Sequence, residues 1–268
     1  MVGEITSPQN RRVKDAVKLR GRRQRTKQKR IIIDGTREIR RAMDAKVELL
    51  EVFCCQSVMQ VEQHELLNEL MSRSVEVLGV TAAVFEKLAF GDRNDGLVAI
   101  ATTPSRRLED LPVDSNGLVV VVESLEKPGN VGAVLRSADA AGIDAVIVAQ
   151  PVTDLHNPNT IRSSLGAVFT VPTCEASNEE VLRWLRAKQL RILTARVDAD
   201  SDYRNANLLG GVALVLGAEA TGLSAAWEAD DIHAISLPMK GQVDSLNISV
   251  TAGVLMYEAQ RRRDEDAT

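Results

Sequence analysis

Apolar and polar positions alternate along this chain in blocks, and the period within each block predicts the element it forms. Over the first hundred residues, short β-branched runs are separated by stretches with helical spacing. Residues 31–33 predict a strand, and Asp34, Gly35 and Thr36 a turn into a helix over 37–45. Strands over 51–55, 75–78 and 97–101 are expected to alternate with helices over 62–72 and 82–88. Together they make a small α/β domain over residues 1–101.

Residues 102–117 lose this periodicity and turn to Thr, Pro, Arg, Asp, Ser and Asn, which marks a linker. A second α/β domain is expected over 118–268. It opens on the almost wholly apolar run 118–122, the pattern of a strand covered on both faces. Further strands are expected at 145–149, 168–171, 192–197, 212–216 and 234–237, with helices at 131–141, around 161–166, at 178–189 and at 246–262. Ser177 followed by Glu180 is a capping box for the third of these helices. Strands alternating with helices predict a mainly parallel sheet flanked by helices, whose ligands sit beyond the strand carboxyl ends.

Composition narrows the class without naming it. The 268 residues are 44% apolar and 26% charged, enough to bury a core in each domain without disulfide or metal staples. No apolar run approaches the ~18 residues of a membrane span, and residues 1–10 carry no secretory leader, so a cytoplasmic location is expected. Cys54, Cys55 and Cys174 have neither disulfide nor zinc spacing and read as buried apolar fillers. His64, His156 and His233 lie far apart in sequence, so neither a metal site nor a serine-type triad is expected.

The net charge of −4 conceals a strong asymmetry. Residues 1–41 hold 14 Lys and Arg against 4 Asp and Glu, and eleven of the basic residues fall within 11–30. Such a run can neutralise phosphates and release their counterions. Val13, Val17 and Leu19 punctuate it, so an ordered helix is expected, and Arg11, Arg12, Lys14, Arg22, Arg23, Arg25, Lys27 and Arg37 are the candidate RNA contacts.

Three loops of the second domain carry candidate chemistry. In the first, Lys127-Pro128-Gly129-Asn130 leads into a helix that Asn130 is placed to cap, and Arg136 follows six residues on, so the two are expected to share a groove. The second, from Gly217 to Gly222 after an apolar strand, sets Glu219 between two glycines that permit close backbone approach. It is neither a three-glycine dinucleotide signature nor a P-loop. The third runs from Leu237 through Met239 to Ser245, Leu246 and Asn247 at the start of the last helix, with Ser245 the expected N-cap and Asn247 a first-turn residue.

In this order and spacing the three loops, with Ile161-Arg162-Ser163-Ser164-Leu165-Gly166 and Met256-Tyr257-Glu258, resemble the SpoU branch of the SPOUT RNA methyltransferases, the TrmH-like enzymes. The resemblance covers about residues 118–262. The N-terminal domain is similar, more loosely, to the L30e-like substrate-binding domain of rRNA-directed members, through Ile5-Thr6-Ser7-Pro8-Gln9-Asn10, the basic helix, the strand ending at Gly35 and Gly96-Leu97-Val98-Ala99. Asp34 and Asp95 depart from the Glu and Gln of many relatives.

The resemblance implies a deep trefoil knot, a homodimer joined through the closing helix, and transfer of a methyl group from S-adenosylmethionine to a ribose 2′-hydroxyl of 23S rRNA. It implies backbone contacts to the donor at Gly217, Leu237, Met239 and Leu246, with Thr194 and Ala195 as further candidates, and a catalytic set of Asn130, Arg136, Glu219, Ser245 and Asn247. A guanidinium with pKa above ~12 is a poor base, so Arg136 is expected to clamp substrate phosphate. Alternatives are a tRNA 2′-O-methyltransferase of the same fold and an RNA-binding or ribosome-assembly factor without methyl transfer. A Rossmann-type nucleotide enzyme lacks its glycine pattern here.

Overall fold

The computed structural model describes residues 2–90 and 95–267. The chain divides into two compact units, Met1–Pro104 with His156–Thr170, and Ser105–Leu155 with Val171–Thr268.

The first unit opens with β1 (Val2–Ile5), a strand without a counterpart in the sequence reading, and α1 (Arg11–Lys18), whose first turn is capped by the Asn10 side chain accepting from the Arg12 N–H at 2.9 Å. The basic run forms two helices rather than one, because the chain breaks at Gly21 before α2 (Arg22–Gln28). Then come β2 (Arg30–Asp34), α3 (Thr36–Asp44), β3 (Leu49–Cys54), α4 (Val61–Ser72), β4 (Glu76–Val80), α5 (Ala82–Leu88) and β5 (Leu97–Thr102), close to expectation. The sheet order is β1-β4-β3-β5-β2, with β5 antiparallel to both neighbours. Val13, Ala16 and Leu19 anchor the basic segment in a core with Phe53, Leu78, Phe85 and Ile100.

Two helices from later in the chain complete this unit, α7 (Pro158–Ser163) and α8 (Ala167–Thr170). The linear reading counts both within the C-terminal domain and expects a strand at 168–171. The structure corrects the strand: Ala167, Val168 and Phe169 are buried in a helix, and the strand lies further on, at Thr173–Ala176. A run of three or four apolar residues fits a buried strand and a buried helix equally, so periodicity could not separate them. Gly166 precedes α8 at φ +85°, and a Cβ there would lie 3.1 to 3.2 Å from Arg41 and Glu38 of α3.

The second unit contains β6 (Leu118–Glu123), α6 (Pro128–Ala141), β7 (Ala145–Ala149), β8 (Thr173–Ala176), α9 (Asn178–Ala187), β9 (Arg191–Ala195), β10 (Val212–Leu216), β11 (Ile232–Ile235) and α10 (Ile248–Asp266). Its six strands are all parallel, in the order β11-β9-β10-β6-β7-β8. The central strands are apolar on both faces because both are covered. Val119, Val121, Ala213 and Val215 pack with Val181, Trp184 and Leu185 of α9, while α6 and α10 pack on each other, burying Val134, Leu135, Leu255 and Met256. The expected strand at 234–237 ends two residues early, at Ile235, and Ser236 makes only an isolated bridge to Asp202.

Candidate active site

Strands β6, β10, β9 and β11 finish level with one another. Leu216 pairs with both Val122 and Ala195, and Ala195 pairs with Ile235. All three loops singled out from the sequence therefore leave the same carboxyl edge of the sheet, the edge at which open parallel sheets hold ligands.

Glu219 is where they meet. Its Oε1 accepts from Asn130 Nδ2 at 3.1 Å and from Asn247 Nδ2 at 2.5 Å, and its Oε2 accepts from Lys127 Nζ at 3.0 Å. The Lys127 ammonium, aided by the Ile248 N–H and the Asn130 amide, holds the Glu219 carboxyl below the usual carboxylate range. One carboxylate thus joins the β6–α6 loop, the loop after β10 and the start of α10. That loop is tight: a Cβ on Gly217 would fall 2.2 to 2.4 Å from the backbone of Gly222 and Leu223, and Gly222 sits at φ +66°. The two glycines therefore let the loop close on itself.

Two capping expectations are corrected. Pro128 starts α6 three residues before the expected helix, its fixed φ suiting the first turn, so Asn130 lies inside the helix and its amide is directed at Glu219 instead of a cap. Asn247, not Ser245, caps α10, accepting from the Ser249 N–H at 3.0 Å while its amide nitrogen serves Glu219. Ser245 is exposed and outside the cluster. So is Arg136, which is exposed and, among the described residues, makes no hydrogen bond or ion pair. Six residues turn a helix by roughly 600°, which carries Arg136 away from the direction of Asn130 instead of into one groove with it.

The donor candidates occupy the same edge. Thr194 is fully buried and Ala195 half-buried at the end of β9, Gly217 follows β10, and Leu237 and Met239, both half-buried, follow β11. Apolar side chains stand exposed on these loops, Val197 at 72%, Val243 at 63% and Leu246 at 37%. Exposed apolar side chains on loops at one edge, with loop backbone at hand, suit a partly apolar donor such as S-adenosylmethionine.

Two residues of this edge were not singled out from the sequence. Lys127 was visible only as part of a motif. Glu123, at the end of the buried strand β6, accepts from the Ser224 N–H at 2.8 Å, the Ser224 hydroxyl at 2.5 Å and the Asn178 side-chain amide. The signal was a carboxylate closing an otherwise wholly apolar run.

In the first unit the structure sorts the basic candidates. Arg12 donates to Glu51 at 2.9 Å and to Glu76 at 2.7 Å, which raises its own pKa and lowers that of Glu76. Arg25 is buried, with its guanidinium on the Leu19 and Arg20 carbonyls at 2.8 and 2.6 Å. Arg37 contacts the buried Glu38 at 3.2 Å, and Arg11 lies 3.7 Å from Asp15. Lys14, Arg23 and Lys27 are exposed and unpaired among the described residues, and Arg22 is exposed. Asp34 has a different environment: burial, reinforced by Asp95 and Glu38, pushes its carboxyl up to about 6 against the opposing Phe90 N–H and Arg162. The three cysteines are free and buried as expected, and burial pushes the Cys174 thiol up to about 12. Among the described residues no group of three or more His, Cys, Asp or Glu is placed to hold a metal ion, and no helix is long and apolar enough to cross a membrane.

Comparison with known proteins adds independent findings. Residues 117–257 match the model of the SpoU rRNA methylase family, and residues 10–99 that of an MRM3-like substrate-binding domain. A 23S rRNA (guanosine-2′-O-)-methyltransferase of Haemophilus ducreyi is 31% identical over 82% of this chain and 92% of its own. A crystal structure described as an RNA 2′-O ribose methyltransferase superposes with a TM-score of 0.86 at 41% identity, covering 97% of this chain and 99% of that one. An AdoMet-bound rRNA methyltransferase from Sinorhizobium meliloti superposes with a TM-score of 0.88 at 26% identity, covering 97% and 98%.

Proposed function

The chain belongs to the SpoU rRNA methylase family, and from that premise we propose that its substrate is 23S rRNA, on which it methylates one ribose 2′-hydroxyl. It is an RNA 2′-O-ribose methyltransferase that uses S-adenosylmethionine. The observation that carries the site is the junction of three loops on Glu219.

When bound, the donor supplies an electrophilic methyl group. The task left to the protein is to hold a ribose oxygen in line with that group and to let its proton leave, which is a matter of positioning and charge. Asn130 and Asn247 orient the ribose and the loop backbone, and Glu219 locks the two amides against each other. Ser245 lies near the attacking oxygen. Arg136 clamps a substrate phosphate, a role suited to an exposed guanidinium with no partner among the described residues. Thr194, Ala195, Gly217, Leu237, Met239 and Leu246 hold the donor, largely through backbone.

Residues 1–101 act as an L30e-like RNA-binding domain, 102–117 as a linker and 118–268 as the methyltransferase domain. Lys14, Arg22, Arg23 and Lys27 on α1 and α2 supply phosphate contacts, with Arg11 and Arg37 as further contributors; the structural roles of Arg12 and Arg25 limit what they can add. The trefoil knot is supported by the strand order, in which β10 enters between the earlier β6 and β9 and β11 returns to the far side of β9. The enzyme works as a homodimer in the cytoplasm. Val250, Val254 and Tyr257 form an exposed apolar stripe on α10 at the spacing of one helix face, which a partner copy would cover.

Ribose methylation mapped across total RNA, from cells with and without the gene, tests this reading. Loss of one 2′-O-methyl group in 23S rRNA is expected. Loss in a tRNA would move the substrate to that class, and an unchanged map would favour a factor that binds RNA without modifying it.

A further inference from the structure

We propose that Glu123 is a positioning residue for donor binding, acting through Ser224 to set the loop after β10. This rests on the reading of that loop as a wall of the donor site.

The loop is fixed at two places by two carboxylates of different character. Glu219 is exposed and binds outward, to Lys127, Asn130 and Asn247. Glu123 is almost fully buried and binds the loop where it re-enters the unit, taking both the N–H and the hydroxyl of Ser224. Between these points lie Gly217 and Gly222, whose close approach leaves the loop few alternative paths.

Burying a carboxylate is costly unless hydrogen bonds replace its water, and among the described residues every partner of Glu123 is a neutral donor. The third comes from Asn178, the first residue of α9, which gives its amide nitrogen to Glu123 and, at 3.2 Å, to the Ser224 hydroxyl. Its Oδ1 is left buried and without a partner among the described residues. An amide turned this way gives its donors to the carboxylate and the hydroxyl it faces. The N-terminal end of a ten-residue helix also favours negative charge nearby. Glu123, Ser224 and Asn178 thus form a buried, three-element tie between β6, the loop and α9, at the strand ends where the donor candidates sit.

A tie that served only stability would be equally well placed deep in the sheet. At the mouth of the loop it fixes backbone amides and carbonyls to within the fractions of an ångström that ligand binding requires. Loosening it should therefore weaken the donor's affinity more than it slows the step that follows.

The test uses the full chain and S-adenosylmethionine itself. Binding is measured by calorimetry, turnover at saturating donor by methyl transfer to rRNA, and stability by melting. Ser224→Ala and Glu123→Gln are expected to weaken donor binding by about 10-fold while kcat stays within about 2-fold, and Ser224→Thr, which keeps the hydroxyl, is expected to restore affinity. Ile147→Val, a fully buried change in β7, serves as the stability control and should lower the melting temperature with donor affinity unchanged. If wild type binds the donor and both tie variants melt lower yet bind it as tightly, Glu123 pins the fold alone and the proposal is overturned. If wild type binds no donor at all, the reading of the loop falls, and this inference with it.

Discussion

In the first unit the guanidinium groups of Arg12, Arg20 and Arg25 are turned inward, tying helices to strands and to backbone carbonyls. In the second unit the central strands are apolar throughout and polar groups gather where they end, at Glu123, Glu219, Asn130 and Asn247. Both units therefore spend charge on cohesion, the second also through Arg191, Arg262 and Arg263 on backbone carbonyls, but only the second adds a polar cluster at the ends of its apolar strands. A dense basic run is a poor guide to which residues meet a ligand, since its own fold consumes part of it. Scarce polar residues closing apolar strands are a better one.

The sharpest break of this contrast is at Glu219. Glu219→Ala removes the acceptor shared by Lys127, Asn130 and Asn247, and is expected to lower kcat by about 100-fold or more, the scale of losing preorganised polar groups. Melting should change little, because the carboxylate is exposed. Retention of more than a tenth of wild-type turnover would show that the cluster is scaffolding.

Arg136 gives the next largest effect. Lys keeps the charge but loses the planar fork, so Arg136→Lys should cost about 10-fold or more in kcat/KM with no change in melting. Near-wild-type methylation by this variant would remove the phosphate clamp.

These two predictions also measure how far the sequence could be read. The loops were legible because each pairs a strand end with a distinctive residue: Asn130 after Pro128, Glu219 between glycines, Asn247 before the closing helix. What escaped was direction. Asn130 and Arg136 share a helix yet diverge, since a spacing of six does not return to the same face. Asn247 took the capping role assigned to Ser245 because it could cap with its oxygen and bind Glu219 with its nitrogen. Among the strands, buried runs such as 118–122 were clear, whereas Ala167–Thr170 was ambiguous between helix and strand. The partners of Arg12 lie 39 and 64 residues away in sequence, beyond any local pattern.

Asp34 tests the first unit through pH. Its folded-state pKa of about 6 stands above the ordinary carboxylate value, so the folded protein holds a proton that the unfolded chain releases first. The associated stability is present in full below about pH 4 and is lost as pH rises through about 6, a change on the order of 3 kcal/mol. Asp34→Asn cannot ionise, so relative to wild type it should gain stability between pH 4 and pH 8 in denaturant unfolding. Parallel pH profiles for the two proteins would place the Asp34 carboxyl in a wetter setting than the structure gives it.

The smallest effects separate the two kinds of arginine and lysine within the basic run itself. Arg25→Ala strips one buried and one part-buried carbonyl of a charged donor and should cost about 2 kcal/mol of stability. Lys14→Ala, at an exposed and unpaired position, should leave melting unchanged and weaken RNA binding only a few-fold, while reducing the slope of log K against log salt by about 0.9 if Lys14 neutralises one phosphate. Arg23→Ala should behave as Lys14→Ala does, because counterion release depends on charge and not on residue type. If Lys14→Ala and Arg25→Ala both altered the salt slope alone, the inward-turned guanidinium would have to be reachable by RNA, and the division between cohesion and binding within this helix pair would fail.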